Sequence, residues 1–178
     1  MVILGIDPGS RKTGFGLLEY CPLTNKIKLL KSGVLNLYRL ETFEERLCQA
    51  RKNIHLLISS FAPDILCCEK LIYRKNIHSL IQLAHVRGAM LSLLSEKINP
   101  EKKILLKEYA PNTVKKWVTG QGHASKEQVL QGIIAHLGPL SVQTDDESDA
   151  LAVGLCYVLE SFCVLGNFRK DLYVDPLY

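Results

Sequence analysis

Six cysteines occur in the chain, yet no two are spaced Cys-x-x-Cys, and no two histidines are spaced His-x-x-x-His. The local patterns that assemble zinc sites are therefore missing. Cys67 and Cys68 are adjacent within an apolar run. Neighbouring strand residues face opposite ways, which suits neither a metal pair nor a disulfide. With Cys21, Cys48, Cys156 and Cys163 they read as small buried side chains of a reduced, cytoplasmic protein. No apolar stretch reaches the roughly 20 residues of a membrane span before a charge interrupts it. The opening Met-Val-Ile-Leu-Gly-Ile-Asp has no basic segment and meets a carboxylate at once, so a secretory leader is not expected. Internal repeats, low-complexity segments and linkers are absent too. The 178 residues read as one domain over residues 1–164, followed by a weakly ordered tail over 165–178.

What is present fits an ordinary globular chain, with 47% apolar and 22% charged residues. The net charge of +4 and a pI near 8.7 permit a nucleic-acid partner without requiring one. Lys102, Lys103, Lys107, Lys115, Lys116 and Lys126 crowd one stretch, and Arg74 and Lys75 follow a strand. Such a run is ordinarily a solvated face.

Short apolar segments predict strands at Val2–Gly5, Thr13–Tyr20 and Lys26–Leu37, arranged as an antiparallel meander. Phe43, Leu47, Ala50, Ile54, Leu57 and Phe61 then recur at helical spacing, opened by Thr42 with Glu45 and stopped at Pro63. A buried-type strand over Ile65–Cys68 runs into Glu69. A long helix is expected over Ile77–Ile98, its apolar side formed by Leu80, Ile81, Ala84, Leu91 and Leu94. A strand over Ile104–Leu106 follows, then helices over Thr113–Val118, Lys126–His136 (opened by Ser125 with Gln128) and Asp146–Cys163. This order predicts an α/β fold with a mixed five-stranded sheet. Crossover connections would set the carboxyl ends of strands one and four side by side, where open α/β sheets build their sites.

Three regions carry carboxylates toward that place. Asp7 ends the first strand before Pro8-Gly9, a position a turn-forming aspartate also occupies. Glu69 leaves a buried strand, and a buried carboxylate must be paired or bind a cation. Asp146 and Asp149 lie three apart on the first turn of the last helix, though Asp145 and Asp149 satisfy the spacing equally well. An acidic first turn is on its own ordinary dipole complementation. Oxygen donors without sulfur or imidazole select Mg²⁺ or Mn²⁺ over zinc. Paired ions about 3.5–4 Å apart are the usual arrangement for phosphodiester hydrolysis.

Leu4-Gly5-Ile6-Asp7-Pro8-Gly9-Ser10-Arg11 with Thr13-Gly14, the Glu69 strand exit and Arg87-Gly88 form the first half of a longer series. It continues through Glu108-Tyr109-Ala110-Pro111, Val114-Lys115, Gly120-Gln121-Gly122, Ser125-Lys126 and Asp146-Glu147-Ser148-Asp149-Ala150-Leu151-Ala152. In this order the series resembles the RuvC family of Holliday-junction resolvases over roughly residues 2–160. The resemblance implies an RNase H-like fold, a homodimer, and Mg²⁺-dependent paired nicking of four-way DNA junctions in recombination and repair. It implies Asp7, Glu69, Asp146 and Asp149 as metal ligands, so favouring Asp146 over Asp145. Lys115 and Lys126 match the family's functional lysines and would hold the scissile phosphate. Arg11, Tyr73, Arg74, Lys75 and Lys116 join them as expected DNA contacts, and the RuvA–RuvB branch-migration complex is the expected protein partner. The family places an aromatic wedge three residues after the strand-end glutamate. Here Ile72 stands in that place and Tyr73 is the nearest aromatic, so the wedge falls to one of the two.

Three other readings compete. An RNase H-like nuclease acting on RNA or hybrid duplexes would keep the carboxylates but not the Gly120–Lys126 loop. An actin- or sugar-kinase-type ATPase shares the Asp-x-Gly-x-x-x-x-Gly turn of Asp7, Gly9 and Gly14, but needs two lobes where this length supplies one. A junction binder without catalysis would need a broken carboxylate set.

Overall fold

The apolar β-branched and leucine-rich runs at the start of the chain pair edge to edge, and the rest of the fold is laid on the sheet they begin. The computed structural model describes residues 1–72, 76–96, 98 and 102–163. The tail at 165–178 lies outside the described residues. Strands β1 (Val2–Asp7), β2 (Lys12–Cys21) and β3 (Lys26–Asn36) form the expected meander. Helix α1 (Phe43–Phe61) crosses to β4 (Ile65–Glu69), which lies parallel to β1. Helix α2 (Ile77–Leu91) leads to β5 (Leu105–Tyr109), parallel to β4. The sheet order is β3-β2-β1-β4-β5. Helices α3 (Pro111–Thr119), α4 (Lys126–Leu137) and α5 (Asp145–Cys163) complete the chain.

The capping boxes at Thr42/Glu45 and Ser125/Gln128 are formed as their sequences require. Three elements differ from expectation. Helix α2 stops at Leu91 and tightens into a 3₁₀ turn over Ser92–Ser95 instead of running to Ile98. The hydroxyls of Ser92 and Ser95 donate to the carbonyls of Ala89 and Ser92, each at 2.8 Å, and compete with helical geometry there. Strand β5 runs on to Tyr109 because Lys107 and Glu108 keep pairing with Cys67 and Cys68. Helix α3 begins two residues early, at Pro111, whose missing N–H costs nothing in a first turn.

Strand alternation divides the interior into two layers. Leu4, Ile6, Leu66 and Cys68 meet Ala50, Ile54 and Leu57 of α1 and Val86 and Met90 of α2. Ile3, Ile65, Cys67 and Tyr109 point the other way, against α3, α4 and α5. Helix α5 is the central member of that second layer, and Ala150, Leu151, Val153, Leu155 and Val158 on it are fully buried.

It sits unusually close to the sheet. A Cβ on Gly5 would lie 2.1 Å from the carbonyl oxygen of Ala150, and one on Gly14 1.8 Å from that of Asp146. Only glycine lets the helix backbone rest on β1 and β2 at those points. Gly14→Ala is therefore expected to lower stability by at least about 3 kcal/mol, since the clash is with backbone that cannot rotate away. Chemical denaturation of the two proteins measures it, and a loss under about 1 kcal/mol would mean that α5 is free to lift.

Candidate active site

The same alternation that sends Ile3 and Gly5 toward α5 sends Asp7 there as well. On β4, Ile65, Cys67 and Glu69 share that face. Ile6 pairs with Cys68 across the parallel β1–β4 ladder, so Asp7 and Glu69 leave adjacent strands at the same end. Gly14 is the register partner of Asp7 on β2, and the Asp146 carbonyl rests over Gly14. The seating of α5 thus brings its first turn beside Asp7, with Asp149 less than one turn further on. The turn after Asp7 is fastened by the buried Thr13. Its hydroxyl donates to the Gly9 carbonyl at 3.2 Å and stands 3.4 Å from the Gly9 N–H.

Crowding has an electrostatic signature. The Asp7 carboxyl is pushed from 3.8 up to about 7, first by burial and then by the charges of Asp149, Glu69 and Asp146, with Lys126 opposing. Burial also raises Asp149, where Lys126 and Lys115 oppose and Asp145 and Asp146 assist. Lys126 opens α4 and reaches across, its Nζ 2.7 Å from Asp145 Oδ2 and 3.7 Å from Asp149 Oδ2. The hydrogen bond to Asp145 holds its ammonium above the ordinary lysine value. Lys115 donates from Nζ to the Ala124 carbonyl at 2.6 Å and so ties down the loop between α3 and α4.

Among the expected site residues, Asp7, Glu69, Asp146, Asp149, Lys115 and Lys126 are brought into one electrostatic neighbourhood. Asp145 is largely exposed and serves as the partner of Lys126. Arg11 is exposed in the turn after Asp7, and Ile72 is half-exposed beyond β4. Lys116 stays outside the cluster, bordering an open groove with Trp117, Gly120 and Gln121. Tyr73, Arg74 and Lys75 lie outside the described residues.

Two supporting groups stand in the quoted motifs without a role assigned to them by sequence. Arg87 is 6% exposed; its Nη1 donates to the Glu69 carbonyl at 2.6 Å and its Nη2 bonds the Glu108 carboxylate. It clamps the exits of β4 and β5 from the face opposite α5. Its signal was legible, since 80, 84, 87, 91 follow the apolar stripe of α2 and a cation at a core position demands partners. Glu147, 4% exposed, accepts from the Ser32 hydroxyl at 2.6 Å and the Gln143 N–H at 2.9 Å. It anchors the first turn of α5 to β3, and in sequence it was indistinguishable from dipole-complementing acids.

Among the described residues no three carboxylate, imidazole or thiol groups converge as a closed ligand set. The donors nonetheless fit a hard divalent cation: they are oxygen only and come from three elements, and burial, with the neighbouring carboxylates adding to it, holds a proton on Asp7 near neutrality.

The sheet order, the parallel β1–β4–β5 half and the helices on both faces define an RNase H-like fold. Within that class, the family model for the crossover junction endodeoxyribonuclease RuvC matches residues 3–157. The crossover junction endodeoxyribonuclease RuvC of Pelodictyon phaeoclathratiforme is 36% identical over 177 residues, covering 96% of this chain and 88% of that protein. Thermus thermophilus RuvC superposes with a TM-score of 0.78 at 25% identity, over 92% of this chain and 97% of the other. Its complex with Holliday junction substrate superposes at 0.79, also at 25% identity, over 92% and 96% of the respective chains. The chain belongs to the RuvC family.

A pH dependence follows from Asp7. Its folded pKa lies above the ordinary carboxylate value, so the folded state binds the proton more tightly than the unfolded chain. The stability this confers is complete below pH 3.8 and is lost as pH rises to about 7, after which it changes no further. Relative to wild type, Asp7→Asn should therefore gain stability progressively between about pH 4 and pH 7, by a few kcal/mol in all. Denaturant midpoints at several pH values give the difference, and a gap independent of pH would contradict the crowding of Asp7.

Proposed function

We propose that this chain resolves four-way DNA junctions by paired symmetric nicks, as a Mg²⁺-dependent endonuclease serving recombination and DNA repair. The observation that carries this reading is the four-carboxylate corner around Asp7, in a chain that belongs to the RuvC family.

Asp7, Glu69, Asp146 and Asp149 are the groups that would hold the metal, with Mn²⁺ able to substitute. When bound, such cations acidify an attacking water and offset negative charge on the leaving oxygen. The protein's own part is to aim and to neutralise. Glu147 and Ser32 fix the first turn of α5, and Arg87 fixes the strand exit from which Glu69 projects. Lys126 exchanges Asp145 for the scissile phosphate, where its charge matters most as negative charge grows in the transition state. Lys115 holds the Gly120–Ala124 loop against the site and adds positive potential to it. Arg11, Lys116, Tyr73, Arg74 and Lys75 take the flanking DNA, with Ile72 or Tyr73 at the junction centre.

Two symmetric cuts require two sites, so the working form is a C₂ homodimer. Its support is the outer face of α2, where Ile77 and Ile81 are 58% and 49% exposed. Sequence periodicity put Ile81 on the core side; the buried face is instead Val86, Arg87 and Met90. The dimer acts in the cytoplasm with the RuvA–RuvB complex. No helix among the described residues is long and apolar enough to cross a membrane.

Asp7→Asn is expected to nearly abolish Mg²⁺-dependent cleavage of a synthetic four-way junction while leaving junction affinity unchanged or tighter. It removes a ligand charge from the cluster and relieves repulsion of the phosphates. Cleavage in Mg²⁺ with and without chelator, beside a binding titration, decides it. Wild-type rates in the variant would overturn the site.

A further inference from the structure

The end of the sheet that carries Asp7 also carries a feature the proposed site does not use. Beyond β3 the chain makes a tight turn, the Leu40 N–H donating to the Leu37 carbonyl at 3.1 Å. Tyr38 and Arg39 take its two corner positions, where side chains project outward. Leu37 is fully buried and its N–H donates at 2.9 Å to the carbonyl of Arg11, in the turn that begins at Asp7. The corner is thus anchored from below and hydrogen-bonded to the active-site turn, which Thr13 braces in its own right.

What it displays is a 52% exposed tyrosine ring with the Arg39 guanidinium 5.9 Å from the ring centroid. Arg11, on the neighbouring turn, and Lys12, at the start of β2, are both exposed. The ring contact pre-orients the guanidinium, so less side-chain freedom is lost when it meets an anion. Of the acids that follow, Glu41 precedes the N-cap Thr42, and Glu44 and Glu45 lie in the first turn of α1, where the helix N-terminus partly offsets their charge. Lys12 pairs with Asn36 and Asp7 with Gly14, so strand spacings set the corner roughly 15 Å from Asp7. That is about four base-pair steps of duplex at 3.4 Å each.

We propose that Tyr38 and Arg39 form a contact for the sugar–phosphate backbone of the duplex arm leaving the active site. Arg39 pairs with a phosphate, the Tyr38 hydroxyl donates to a phosphate oxygen, and Arg11 and Lys12 continue the track toward Asp7. The contact rests on the junction-resolving reading. It positions an arm without reading base sequence.

The test is binding of a synthetic four-way junction in chelator, as a function of salt, by wild type, Tyr38→Ala, Arg39→Ala and the double variant. Lys26→Gln, at the opposite end of β3, reports the effect of net charge alone. The double variant should bind about tenfold more weakly at 0.15 M salt, with the log–log salt slope shallower by about 1, while Lys26→Gln matches wild type. Tyr38→Ala alone should weaken binding with little change in slope, because it removes no charge. Wild-type affinity and slope in the double variant would overturn the proposal, as would an equal loss in Lys26→Gln. Failure of wild type to bind the junction would overturn the functional reading itself, and this contact with it.

Discussion

The carbonyl of Asp146 resting on Gly14 is the contact on which the rest of the site depends. Four carboxylates from three parts of the chain repel one another, and nothing among them favours assembly. They are held together by the apolar face of α5, which is buried along its length and pressed against β1 and β2 where Gly5 and Gly14 leave room. Burial of that face outweighs the repulsion at its end, and the raised proton affinity of Asp7 records first its own burial and then that repulsion. The helix contributes a second offset, because the positive end of its dipole lies at the acidic turn.

The two layers of the fold divide the labour. On the α5 side lie the crowded acids and the two lysines. From the other side Arg87 reaches the Glu69 carbonyl and the Glu108 carboxylate, so the strand exits cannot splay under the charge they carry. Glu147 and Ser32 do the same for the first turn of α5. Lys126 rests on Asp145 near the cluster, and because that bond is exposed on both sides it is cheap to exchange.

Much of this was legible in the chain. Strand and helix types followed from periodicity, the two capping boxes from Thr42-x-x-Glu45 and Ser125-x-x-Gln128, and the side-by-side exits of β1 and β4 from the crossover order. What escaped depended on contacts distant in sequence. The end of α2 turned on serine hydroxyls competing with its backbone, and the length of β5 on pairing with β4 that outweighed the polarity of Lys107 and Glu108. Spacing alone left Asp145 and Asp146 equivalent. Their surroundings differ, since Asp145 projects to solvent and Lys126 while Asp146 is partly buried and its backbone carbonyl rests over Gly14. The role of Glu147 required knowing that β3 passes beside α5, which no local pattern reports.

The central claim is that the corner around Asp7 is one metal-binding site, assembled by packing. The most direct measurement is the melting temperature of wild type and Asp7→Asn, each with millimolar Mg²⁺ and with chelator. The account predicts that Mg²⁺ raises the wild-type transition by several degrees, since it binds only the folded chain. In chelator at pH 8, Asp7→Asn should melt above wild type and respond little to Mg²⁺. Equal Mg²⁺ shifts in the two proteins, or a lower transition for Asp7→Asn in chelator, would contradict it.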